Sequence, residues 1–131
     1  MNLHFALIIL HVLAAVLGTG CVVAVVIRAR SGGDGAVADL RRLLACVSIG
    51  LVTLLVTGGL ALRVSGIAGI YLHMWWLRIS IALFLVLGAA IGYARRQLRR
   101  PGGSLAAVEQ VGWLGCALVT VLVVLMEAKP W

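Results

Sequence analysis

The chain has 131 residues, of which 63% are hydrophobic and 11% charged, with a formal net charge of +7. Soluble domains are nearer half apolar and a quarter charged, so a water-soluble globule is excluded, and so is a disordered chain, which requires low hydrophobicity. Three cysteines cannot all pair, which argues against a disulfide scaffold and leaves a small integral membrane protein.

The first predicted element covers residues 3–27, which contain no Asp, Glu, Lys or Arg. At about 1.5 Å rise per residue, a helix of that length crosses the roughly 30 Å hydrocarbon core. No Lys or Arg precedes it, so the charged start of a signal peptide is missing and the helix is expected to be retained. Ser31-Gly32-Gly33-Asp34-Gly35 then reads as a turn. A second uncharged run covers 43–62, and the Ser65-Gly66-Ile67-Ala68-Gly69 stretch reads as a short connection. The third run, 71–94, is interrupted only by Arg78. Pro101-Gly102-Gly103-Ser104 is a further turn, and the fourth element, 111–127, closes at Glu127 with Lys129 and Trp131 beyond it. Membrane β-barrels show alternating segments of about 10 residues, so four continuous apolar runs read as helices. The expected fold is all-α: a single domain, 1–131, forming a bundle of four transmembrane helices.

Charge sets the expected orientation. Arg28, Arg30, Arg41 and Arg42 flank the first turn, and Arg95, Arg96, Arg99 and Arg100 flank the third connection. These eight of the eleven basic residues share one end, which the positive-inside rule assigns to the cytoplasm. The expected location is the cell (inner or plasma) membrane of a bacterium, crossed several times, with both termini outside and the first and third helices parallel. The same arginines account for the net charge, since each attracts anionic headgroups by about 1 kcal/mol. The expected partners are therefore the lipid bilayer and other membrane subunits or further copies of the chain, with no nucleic acid.

Small and hydroxyl residues recur along each helix. His4, His11, Ala15, Gly18 and Val22 mark the first; Cys46, Gly50, Thr53 and Thr57 the second; His73, Ser80, Phe84, Gly88 and Gly92 the third; Glu109, Gly112, Cys116, Thr120 and Glu127 the fourth. Such stripes are expected to face the bundle interior, where close packing in lipid requires them.

Polar residues inside a membrane are costly, and so mark candidate functional positions. His11 lies about 12 Å into its helix, while His4 and His73 lie near the outer end. Two histidines on separate helices can ligate a haem iron from opposite sides, and His11 and His73 are the chosen pair. Arg63 and Arg78 share that end and suit haem propionates, with Trp75 and Trp76 as pocket walls. Copper, held by the same histidines with Met74 or Met126, is the alternative metal. Simple hydrogen bonding of the histidines to Thr, Ser or backbone is the remaining reading. Arg78 is expected to snorkel, stack on Trp75 or pair with Glu127. Cys21, Cys46 and Cys116 share one depth, where they either pack as small apolar residues or gather as a soft metal site. No nucleophile, phosphate-loop or zinc-protease motif is present, so the sequence does not decide whether the chain is an enzyme.

The segment Leu10-His11-Val12-Leu13-Ala14-Ala15-Val16-Leu17-Gly18-Thr19-Gly20 resembles the opening helix of small bacterial CopD-like membrane proteins. It also resembles that of an uncharacterised four-helix family near them. Leu55-Val56-Thr57-Gly58-Gly59-Leu60 looks like that family's second helix, and the stretch from Trp76-Leu77 to Gly88 is similar to its third. The resemblance implies a four-helix bundle with haem or copper chemistry. HemJ-like oxidases share the architecture and place a haem histidine in the first helix, a role that would pass to His11. Three functions follow as expectations: a membrane protein binding a b-type haem in a redox or accessory role, a non-catalytic helical subunit or assembly factor, and a copper-handling or small transport protein.

Overall fold

A computed structural model describes residues 3–66 and 73–127, with the side chains of Met126 and Glu127 excepted. The start of the third run at Tyr71, part of the second connection, and Lys129 and Trp131 lie outside the described residues. So do the Met126 and Glu127 side chains that were expected to reach a metal or Arg78. The described residues form four helices: α1 Leu3–Ser31, α2 Ala36–Val64, α3 Trp75–Arg99 and α4 Leu105–Glu127. All four are long and apolar enough to cross a membrane.

The helices overrun the uncharged runs that marked them, except that α3 begins at Trp75 rather than 71, with His73 and Met74 outside the helix. α1 continues through Arg28 and Arg30, α2 begins at Ala36 rather than 43, and α4 begins at Leu105 rather than 111. A charge ends the apolar run without ending the helix, because arginine is a good helix former. The α1–α2 turn is therefore only four residues long. Gly32, Gly33 and Gly35 adopt φ of 57°, 86° and 77° there, a left-handed region that costs glycine nothing. At the start of α4 the Ser104 hydroxyl accepts a bond of 3.3 Å from the Ala107 amide, satisfying one of the free N–H groups of the first turn.

Short connections make neighbouring helices antiparallel. α1 packs most extensively on α2 and next on α4, while α3 packs on α4 and more lightly on α2. α1 and α3 thus occupy opposite corners of the bundle. The main core is concentrated toward the arginine-rich end, where Val22, Val25, Leu40, Leu44, Leu87 and Ile91 are buried together. Toward the other end the buried residues thin to Ala14, Thr57, Trp76 and Ser80.

Glycines set the closest approaches. A Cβ on Gly50 would meet Gly18 Cα at 3.6 Å and the Ala14 carbonyl at 3.7 Å, so α1 and α2 touch nearly backbone to backbone. Gly112 and Gly115 are pressed against Val26 and Val22 in the same way between α4 and α1. The expected stripe on α3 holds only in part. Ser80 is buried, but Gly88 and Gly92 are exposed with nothing within 4 Å of a Cβ, and the buried face is Trp76, Ser80, Leu87, Ile91, Ala94 and Leu98.

Candidate functional site around His11

His11 lies eight residues beyond the first residue of α1, about 12 Å along the axis. Its half-buried ring turns toward α2, and Nδ1 lies 2.9 Å from the Thr57 hydroxyl. Thr57 is 3% exposed, and its hydroxyl lies 2.7 Å from the Thr53 carbonyl of its own helix. A hydroxyl has one proton to give. Donation to the Thr53 carbonyl leaves the Thr57 oxygen to accept from His11 Nδ1–H. The ring also hydrogen-bonds the Leu54 carbonyl of α2, so the backbone of that helix as well as the Thr57 hydroxyl holds it.

Gly58 is the other half of this arrangement. A Cβ there would stand 3.1 Å from His11 Cε1, so a larger residue would press the ring off Thr57. The chain His11–Thr57–Thr53 holds the imidazole against α2 with Nδ1 engaged. Metal-ligating histidines are commonly held this way, their second N–H engaged by an outer partner. Of the readings open to His11, a hydrogen bond to Thr is the one found, and it is compatible with ligation through Nε2.

The remaining expected site residues are placed differently. His73 is exposed and precedes the first residue of α3 by two positions. His11 lies two turns into α1, and α3, which follows His73, stands diagonally across the bundle from α1. Arg63 is exposed in the last turn of α2. Arg78 is exposed in the first turn of α3, where its amide donates to the Met74 carbonyl at 3.4 Å. Trp75 is exposed, whereas Trp76 is buried with its indole N–H donating to Met74 Sδ at 3.2 Å. His4 is exposed in the first turn of α1.

No group of three or more His, Cys, Asp or Glu that could hold a metal occurs among the described residues. The thiol site is accordingly not assembled. Cys21 lies beside Cys46, which is exposed, while Cys116 packs against the core from α4. In the packed half, Val22, Val25, Leu44, Val47, Leu87 and Ile91 enclose a space of only about 10 Å³.

Three arginines read from the sequence as topology markers have definite partners. Arg28 Nε donates to Asp39 at 2.8 Å, and its Nη groups donate to the carbonyls of Gly32 and Asp34, closing the α1–α2 turn. Arg41 donates to the Leu98 carbonyl at 2.8 Å, near the C-terminal end of α3. Arg95 donates to the Ser48 hydroxyl at 3.3 Å, joining α3 to α2. A signal for the first of these contacts, and for that of His11 with Thr57, was present in the sequence. In a tight antiparallel hairpin, residues equidistant from the turn face each other, and the pairs Arg28–Asp39, Cys21–Cys46, Gly18–Gly50 and His11–Thr57 are all nearly equidistant from the Gly33–Asp34 step. The chain matches no family model, no curated protein and no solved structure.

Proposed function

We propose that the chain is a multi-pass protein of the cell (inner or plasma) membrane that binds a b-type haem through His11 in a redox or accessory role. Its arginine-rich connections face the cytoplasm and both termini face outside. One observation carries the reading: the His11–Thr57–Thr53 chain engages Nδ1, the way outer partners commonly hold a histidine that ligates a metal through its other nitrogen. The resemblance of the His11 segment to CopD-like and HemJ-like first helices points the same way. His11 is the residue that would hold the iron. His73, exposed two residues ahead of α3, is left out of this proposal, and a haem would be held in the thinner-packed half of the bundle around His11. Arg63 and Arg78 are the exposed cations at that end that would face its propionates. A bound haem would supply one-electron chemistry; the residues of the chain hold the ring and keep it out of bulk water.

The test is an absorption spectrum of the full chain purified from haem-replete cells. A Soret band is expected, removed in His11→Ala and retained in His73→Ala. A colourless wild-type preparation refutes the reading.

A second reading, a helical subunit or assembly factor of a larger membrane complex, rests on α4. Val108, Gly112 and Gly115 in its first half are buried, whereas no residue of 116–125 is. That second half offers an apolar face to other membrane helices. Co-purification of defined partners, abolished by Val121→Arg, is the expected result, and a strictly monomeric preparation from mild detergent counts against it.

A further inference from the structure

At the arginine-rich end, an open groove of about 460 Å³ runs between α1 and α2, lined by Ala24, Ile27, Arg28, Asp39, Arg42 and Leu43. Its volume lies within the roughly 300–1,000 Å³ of ordinary ligand sites. Its polarity is graded along the helices. Arg28 and Asp39 lie toward the turn, and Ala24 lies one helical turn deeper along α1.

The charges on its rim are not equivalent. Asp39 is held by Arg28, whose two Nη groups also donate to the Gly32 and Asp34 carbonyls. Arg42 is exposed and makes no hydrogen bond or ion pair with any described residue. Arg28 and Asp39 cancel, so the rim carries one uncompensated positive charge beside an apolar slot. This combination matches an amphiphile with a single anionic head. A free inorganic anion would leave the slot empty, and the one carboxylate that lines the groove, Asp39, is already engaged by Arg28 and so is not open to the cation of a zwitterionic lipid.

We propose that this groove is a binding site for one anionic phospholipid, its phosphodiester on Arg42 and an acyl chain against Ala24, Ile27 and Leu43. The site is independent of His11 and of any haem. One basic residue near the surface contributes about 1 kcal/mol toward an anionic lipid, which is about fivefold in affinity.

The test uses the full chain in zwitterionic phosphatidylcholine nanodiscs doped with photoactivatable phosphatidylglycerol, with crosslinks mapped by peptide mass spectrometry. Labelling of residues 24–43 is expected, competed by unlabelled phosphatidylglycerol and not by inorganic phosphate. Arg42→Gln is expected to weaken the competition about fivefold, while Arg100→Gln, an exposed arginine outside the groove, leaves it unchanged. Ala24→Leu, which narrows the slot without touching charge, is expected to reduce labelling as well. Equal effects of Arg42→Gln and Arg100→Gln overturn the proposal, because they reveal a diffuse surface attraction. So does competition by phosphate as strong as by lipid, or labelling indifferent to headgroup charge. Helical circular dichroism of each variant shows that a loss of labelling is not a loss of fold.

Discussion

The same substitution, Gly→Ala, is expected to act with opposite signs at Gly112 and Gly88. At Gly112 a Cβ would stand 2.7 Å from Val26 Cγ2 and 3.4 Å from the Val26 amide nitrogen. Carbon atoms attract best at about 3.5–4.0 Å, so the overlap is about 1 Å. Val26 is 6% exposed and, being β-branched in a helix, holds essentially one rotamer. The strain therefore falls on the α1–α4 spacing, at an overpacking cost of about 1–3 kcal/mol. Alanine returns about 0.5–1 kcal/mol of helix propensity, leaving a net loss of about 1–2 kcal/mol. At Gly88 nothing lies within 4 Å, and only the propensity gain remains. Equilibrium unfolding of the full chain in mixed micelles, titrated with sodium dodecyl sulfate and followed by tryptophan fluorescence, measures both variants against wild type. Equal shifts for the two, or a stabilised Gly112→Ala, would mean that α4 does not approach α1 as described.

Thr57→Val keeps the shape of the side chain and removes the partner of His11 Nδ1. It is expected to destabilise by about 0.6–1.7 kcal/mol, the range of interhelical hydrogen bonds in membranes, and a double-mutant cycle with His11→Ala should return a coupling of that size. Asp39→Ala frees Arg28 at a part-exposed pair and is expected to cost about 0.2–1 kcal/mol, less at high salt; an effect above that range would place the pair in a drier setting. Ser104→Ala removes the α4 cap and is expected to cost about 1 kcal/mol, visible as faster amide exchange at Ala107. Unchanged protection there would mean that the hydroxyl does not cap the helix.

How much was legible from residues alone differs between the fold and the site. The four spans and their turns follow from uncharged runs bounded by glycine clusters, because lipid leaves the backbone few alternatives to a helix. The helix ends were placed short, since a drop in hydropathy reports the membrane boundary and a helix continues past it. His11 stood out because an imidazole deep in an apolar run is rare and costly. Its bond to Thr57, and the clamp of Arg28 on Asp39 and the turn, depend on hairpin register, which composition does not express. The assumption that every small-residue stripe faces inward held at Gly50, Thr57, Ser80 and Gly112, and failed at Cys46, Gly88, Gly92 and Thr120, which are exposed.

By itself, then, the sequence determined the class of the molecule, its four helices and a short set of polar positions, because solvation in lipid acts residue by residue. Only the tertiary structure decided which of those positions meet. α1 and α3 stand at opposite corners, so His11 found a threonine on α2 rather than His73. The arginines that looked alike in the sequence divided into Arg28, Arg41 and Arg95, which hold the bundle together, and Arg42, which is left facing an apolar groove. Contacts of this kind depend on distances between helices, which are set by the glycines and branched side chains of every neighbour at once.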